Sequence, residues 1–126
     1  MEAQRRLQSE GIPDARLEAE MMMMAAANAS RAQLYARSTD LLCHQERSRA
    51  AVYLERRLRR EPASYISGQK EFYGLTYLVA PGVFIPRPET ELLVEQVIRL
   101  TEPKPDNRQR TIADVGTGTG AIAVAL

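Results

Sequence analysis

Asp114, Gly116, Gly118 and Gly120 recur at every second position of Ala113-Asp114-Val115-Gly116-Thr117-Gly118-Thr119-Gly120, and an unbroken apolar run follows from Ala121 to Leu126. Residue by residue, this predicts the end of a buried strand carrying an acid, a glycine-rich turn, and the start of a helix. Glycine has no Cβ, so the backbone can turn sharply there and come close to a ligand. The helix behind it aims free N–H groups and a partial positive charge at the same place. Two ligand classes compete for such a turn. Gly116-Thr117-Gly118-Thr119-Gly120-Ala121 scores as G-x-G-x-x-A, a permitted dinucleotide pattern. The stretch also scores as D-x-G-x-G-x-G, in which Asp114 can accept from the cationic amine of S-adenosylmethionine, a group a pyrophosphate lacks. The second pattern uses more of the residues and is preferred, with a tight turn that holds no ligand as the third reading.

The elements that must carry this turn change character along the chain. Residues 1–60 read as helices. Met1–Glu10 is expected to be helical, with Gly11 as its C-terminal cap. Asp14, after Pro13, is expected to cap a second helix by accepting backbone N–H bonds. On that helix Leu17, Met21, Met24 and Asn28 fall at helical spacing, with Ala25 beside them. Ser30 can cap a short third helix with Leu34 and Tyr35 as its contacts. A longer one runs from about Glu46 to Arg60, with Ala51, Leu54 and Leu58 on its inner stripe. Short connections between amphipathic helices make a small bundle. Pro62 then breaks the pattern. Lys70–Val79 alternates around Gly74 with aromatic and β-branched residues, which predicts a β-hairpin. Pro86 and Pro88, with Glu89, Thr90 and Glu91, start a helix whose apolar face is Leu92, Leu93, Val97 and Leu100; the acids complement its dipole. Residues 102–110 read as a polar surface loop, and 111–115 as the strand that opens the glycine turn.

Composition narrows the function classes. The net charge is +1 over 126 residues, so no field points to nucleic acid or an acidic membrane. Arg47, Arg49, Arg56, Arg57, Arg59 and Arg60 crowd one helix, and an exposed charged face explains them more simply than an RNA or acidic-protein patch. The single cysteine, Cys43, excludes an intrachain disulfide and fits a reducing compartment. Cys43 and His44 have no second pair, so no metal site is expected. The longest wholly apolar run, Met21 to Ala27, is far short of a membrane span. The chain reads as cytoplasmic.

A second segment decides between the ligand classes. Gly82-Val83-Phe84-Ile85-Pro86-Arg87-Pro88-Glu89-Thr90-Glu91 lies about two dozen residues before the glycine turn. Together the two closely resemble the HemK/PrmC family, the N5-glutamine methyltransferases of peptide chain release factors. Glu61-Pro62-Ala63-Ser64-Tyr65-Ile66-Ser67-Gly68, Lys70-Glu71-Phe72-Tyr73-Gly74-Leu75 and Asp14-Ala15-Arg16-Leu17-Glu18-Ala19-Glu20 look like other parts of the family, so the resemblance covers nearly the whole chain.

The resemblance implies an α+β chain. A helical bundle over residues 1–68 would recognise the release factor, and a β-hairpin linker over 69–80 would follow. Residues 81–126 would be the truncated start of a Rossmann-like (class I) methyltransferase domain. It implies S-adenosylmethionine as donor and the glutamine of the release factor's Gly-Gly-Gln loop as substrate, with no membrane or direct nucleic-acid partner. Carried over by position, Asp114, Gly116, Thr117, Gly118, Gly120, Thr90 and Arg87 would hold the donor, and Phe84 and Pro86 would line the substrate pocket. The family's Asn-Pro-Pro-Tyr, which grips the substrate amide, does not occur in this sequence. No catalytic residue is therefore assigned, and the chain is expected to be a fragment that is inactive alone. The alternatives are a non-catalytic release-factor-binding module and a dinucleotide-binding oxidoreductase fragment.

Overall fold

The computed structural model of the chain describes residues 2–37, 40–101 and 111–126. It is helix-rich with one small antiparallel sheet, an α+β composition, and it divides into two compact units, Met1–Ser67 and Gly68–Leu126. The polar loop expected over 102–110 lies outside the described residues.

The first unit contains α1 (Glu2–Ser9), α2 (Ala15–Ala27), α3 (Arg31–Ala36), α4 (His44–Leu58) and α5 (Ala63–Ser67). Its core gathers Leu7 of α1, Ile12, then Ala15, Ala19 and Met22 of α2, and Leu54 of α4, with Tyr53 and Leu58 packed against them. Ala15, Ala19, Met22 and Ala26 are the buried apolar positions of α2, so its inward stripe is not the expected Leu17, Met21 and Met24. Small alanines let α1 and α4 approach closely, and the methionines around them can lie on either side of the seam. On α4 the inner stripe is also shifted: Leu54 is buried and Leu58 partly so, but Ala51 is exposed.

The caps explain where these helices start and stop. Ser30 accepts from the Gln33 N–H at 3.2 Å, and the Gln33 side chain accepts from the Ser30 N–H at 2.8 Å. This reciprocal capping box satisfies two otherwise orphaned donors. Cys43 does the same for α4: the Glu46 carboxylate accepts from its N–H at 2.8 Å, and its sulfur accepts from the Glu46 N–H at 3.5 Å. Asp14 corrects an expectation. It takes a left-handed conformation and makes no side-chain cap bond; its carbonyl accepts from the Glu18 N–H instead. Three helices end in the same left-handed reversal, with Gly11, Asn28 and Arg60 at the turning residue. At each, the residue after the turn bonds back across it: Ile12 to Leu7, Ala29 to Met24 and Glu61 to Arg56.

The second unit contains β1 (Gln69–Phe72), β2 (Leu75–Leu78), a 3-10 turn over Pro88–Thr90, α6 (Glu91–Thr101) and α7 (Ala121–Ala125). The hairpin forms where the alternation placed it, with Gln69 opposite Leu78 and Phe72 opposite Leu75. Tyr73 and Gly74 both take positive φ, +51° and +72°, the signature of the type I′ turn that matches strand twist. Phe72, Val94 and Ala121 form the core of this unit, with Tyr73, Tyr77, Ile122 and Ala125 around them. On α6 the buried residue is Val94; Leu92, Leu93 and Leu100, expected on the inner face, are exposed.

Candidate functional site

Gly116, Gly118 and Gly120 have φ of +78°, +55° and +72°. That region is costly for residues with a Cβ, so three such angles within five residues account for the glycines through backbone shape alone. A Cβ at Gly116 would meet nothing within 4 Å, so the turn is open on that side. Within it, the Gly120 N–H donates to the Thr117 carbonyl at 2.8 Å, and the Gly120 carbonyl accepts from the Val124 N–H at 2.9 Å, which leads the chain into α7.

The strand expected over 111–115 is not formed. Residues 111–114 have no assigned secondary structure, and Val115, expected to be buried, is 93% exposed. A strand exists through its ladder, and among the described residues the only ladder is β1 with β2. Asp114 is half-buried, and its Oδ2 is a buried oxygen without a hydrogen-bond donor. A carboxylate oxygen removed from water and given no donor is costly to keep, and it marks a place where a donor from outside the protein would be welcome.

The Phe84–Thr90 segment is local in its construction. Pro86 is buried and anchors it. Arg87 is extended, as the residue before a proline must be, and its carbonyl accepts from the Thr90 N–H at 3.0 Å to close the 3-10 turn. The Arg87 guanidinium sits 5.9 Å from the Phe84 ring centroid, a cation–π pair. Phe84 is nonetheless 67% exposed. A large aromatic ring held in water beside a cation is an apolar wall that is mostly uncovered.

Two residues with a bearing on this region were missed by sequence reasoning. The Glu91 carboxylate accepts from the Tyr73 N–H at 2.9 Å, beyond its expected service to the helix dipole. The Tyr77 hydroxyl donates to the Ala121 carbonyl at 3.1 Å. Neither bond has a local signal, since the partners are far apart in sequence. The one available hint was a tyrosine on a short strand, whose hydroxyl needs a partner once its ring is partly buried.

The arginine-rich helix is more self-contained than its composition implied. Arg57 forks onto Glu18, and Arg56 binds both oxygens of Glu61 at 2.7 and 2.5 Å. These bonds hold both guanidinium pKa values above the ordinary arginine value, and the Arg56 bond holds Glu61 below the usual carboxylate range. The Arg60 guanidinium donates to the Glu10 carbonyl. Arg47, Arg49 and Arg59 are exposed, as a solvated face requires. Among the described residues no group of three or more His, Cys, Asp or Glu could hold a metal ion, and no helix is long and apolar enough to cross a membrane.

Residues 1–68 match the family model described as PrmC N-terminal domain. The chain is also similar to curated proteins named release factor glutamine methyltransferase. That of Coxiella burnetii is 43% identical over 111 residues, which cover 88% of this chain and 39% of that protein. That of Koribacter versatilis is 42% identical over 124 residues, 98% of this chain and 43% of the relative. That of Bradyrhizobium diazoefficiens is 38% identical over 121 residues, 96% of this chain and 41% of the relative. The chain thus spans about two fifths of the length of the curated relatives it matches.

Proposed function

Because this chain belongs to the PrmC N-terminal domain family, we propose that it supplies the release-factor-docking and donor-binding parts of a protein-glutamine methyltransferase working in the cytoplasm. The helical unit, residues 1–68, would dock the release factor. Residues 81–126 would begin a Rossmann-like methyltransferase domain whose donor is S-adenosylmethionine. The observation that carries the donor assignment is the buried Asp114 Oδ2 without a donor, beside three glycines whose backbone leaves Gly116 open to approach. An acid in that place fits the ammonium of an adenosyl amino acid.

When bound, S-adenosylmethionine supplies an activated methyl group on a sulfonium. This chain's own residues would bind and screen. Asp114 would accept the ammonium protons. Gly116, Thr117, Gly118 and Gly120 would let the backbone lie close to the donor. Thr90 would offer its hydroxyl, and Arg87 would hold the Phe84 ring as an apolar wall that excludes water. Pro86 would fix the segment from beneath. Transfer to an amide nitrogen depends on orientation and water exclusion more than on a strong base. The Asn-Pro-Pro-Tyr grip on the glutamine amide is not in this sequence, so these residues would bind the donor without completing the transfer.

Calorimetric titration of the 126-residue chain with S-adenosylhomocysteine tests this reading. The expected Kd is on the order of 1–100 μM, weakened about tenfold or more in Asp114→Ala. No binding at millimolar ligand would overturn the donor assignment. A second reading, docking without donor binding, is favoured by one observation: the family match covers the helical unit and contains none of the candidate donor residues. It predicts capture of a release factor by the chain with no response to the analogue.

A further inference from the structure

We propose that the β1–β2 hairpin is the positioning element of the donor site, with Tyr77 and Glu91 as the residues that fasten it. The inference rests on the donor reading given above and names what holds that site in shape. The two candidate segments, Phe84–Thr90 and Asp114–Gly120, stand apart in the chain. Each ends immediately before a residue bonded to the hairpin. Thr90 is followed by Glu91, whose carboxylate accepts from the Tyr73 N–H at 2.9 Å. Gly120 is followed by Ala121, whose carbonyl accepts from the Tyr77 hydroxyl at 3.1 Å. One short hairpin therefore grips the downstream end of both segments.

The hairpin is built to bear this. Tyr73 sits at φ +51°, a conformation that disfavours any residue with a Cβ. Its N–H is held by Glu91, and its ring is partly buried against the Phe72, Val94 and Ala121 core. Tyr77 is oriented by an edge-to-face contact with Phe72, the centroids 6.1 Å apart and the planes at 76°. Phe72 is 1% exposed, so the ring against which Tyr77 leans cannot shift freely. The Tyr77 hydroxyl then meets the first residue of α7. Upstream of that residue, Val115–Gly118 is exposed backbone, left-handed at Gly116 and Gly118. Ala121 is buried. The glycine turn is thus tethered at its downstream end, and Tyr77 is the polar part of the tether.

The site's own bonds supply the probes. The Val124 N–H donates to the Gly120 carbonyl, and its exchange with solvent reports how firmly the turn meets α7. The Tyr73 N–H reports the Glu91 bond directly. Tyr77→Phe keeps the ring contact and removes only the hydroxyl. It is expected to speed Val124 exchange about fivefold, the equivalent of one net hydrogen bond, and to weaken S-adenosylhomocysteine binding by a similar factor. Exchange in α2 and α4 should not change. Glu91→Ala is expected to speed Tyr73 exchange and weaken binding likewise. Glu91→Gln, whose amide oxygen can still accept, should restore both, which a general loss of packing would not allow. Unchanged Val124 exchange and unchanged affinity in Tyr77→Phe would overturn the fastening. Absence of analogue binding by the wild-type chain would overturn the donor reading alone, and amide exchange would then decide the hairpin's hold on the turn.

Discussion

Removing Glu18 should cost the first unit a large share of its stability. Arg57 Nη2 donates to Glu18 Oε1 at 2.9 Å, and its Nε donates to the other carboxylate oxygen, so the pair is a two-point fork between α2 and α4. The side chains are only 13% and 17% exposed. Without Glu18, a mostly buried guanidinium keeps a single protein acceptor, the Glu61 carbonyl at 3.4 Å. Breaking a fully buried pair costs roughly 3–5 kcal/mol, whereas an exposed pair contributes about 0–1 kcal/mol. With roughly five sixths of each side chain covered, Glu18→Ala and Arg57→Ala should each lose about 2–3 kcal/mol. A unit of this size has about 3–10 kcal/mol in all. Urea unfolding of the whole chain, followed by helical circular dichroism, measures the loss. The double replacement Glu18→Leu with Arg57→Leu leaves no orphaned charge and should recover most of it. Single losses below about 0.5 kcal/mol, or a double variant whose loss is the sum of the singles, would refute the reasoning.

Two further outcomes are expected. The Cys43 N–H, with Arg37 assisting, holds the Glu46 carboxyl below its ordinary value of 4.5. A depressed folded pKa stabilises above the unfolded value and is lost as pH falls through the folded one. Glu46→Gln should therefore flatten the decline in unfolding midpoint below about pH 4.5, and an unaltered acid limb would count against the assignment. Gly116→Ala meets no clash, since nothing lies within 4 Å of the added carbon, so its stability cost should stay near the roughly 1–2 kcal/mol of a left-handed alanine. Its methyl would stand where a donor approaches, and calorimetry should show analogue affinity falling about tenfold, or about 1.4 kcal/mol. Equal affinity would place the ligand elsewhere.

What could be read in advance followed the range of the interaction. Ser30 with Gln33, and Tyr73-Gly74 between two alternating runs, are local patterns, and their cap and turn form where the residues placed them. The inward faces were harder. Met21 to Met24 gives no polar contrast by which to orient α2, so the seam was drawn through Leu17 when it runs through Ala15, Ala19 and Met22. On α6, three exposed leucines outweighed one buried Val94 for the same reason. Asp14 has the side chain of a cap, but its left-handed backbone takes it out of bonding position. The strand read over 111–115 depends on a neighbour that local sequence does not specify. Of the candidate site, the glycine turn and the Pro86–Pro88 segment were legible as motifs. Glu91 and Tyr77 were not, because a bond across 18 or 44 residues leaves no periodic trace.

The three helix endings described above differ in what holds them shut. At α1 the residues bridging the reversal are Leu7 and Ile12, both fully or nearly buried. At α4 they are Arg56 and Glu61, an ion pair with about a third of each side chain in solvent. An added kosmotropic salt such as sulfate screens the second and strengthens the first. Ionic strength therefore sets the order of fraying: in concentrated salt the α4 end loosens first, while the α1 end closes more tightly. The bundle has one latch that responds to the surrounding electrolyte and one that does not open with it.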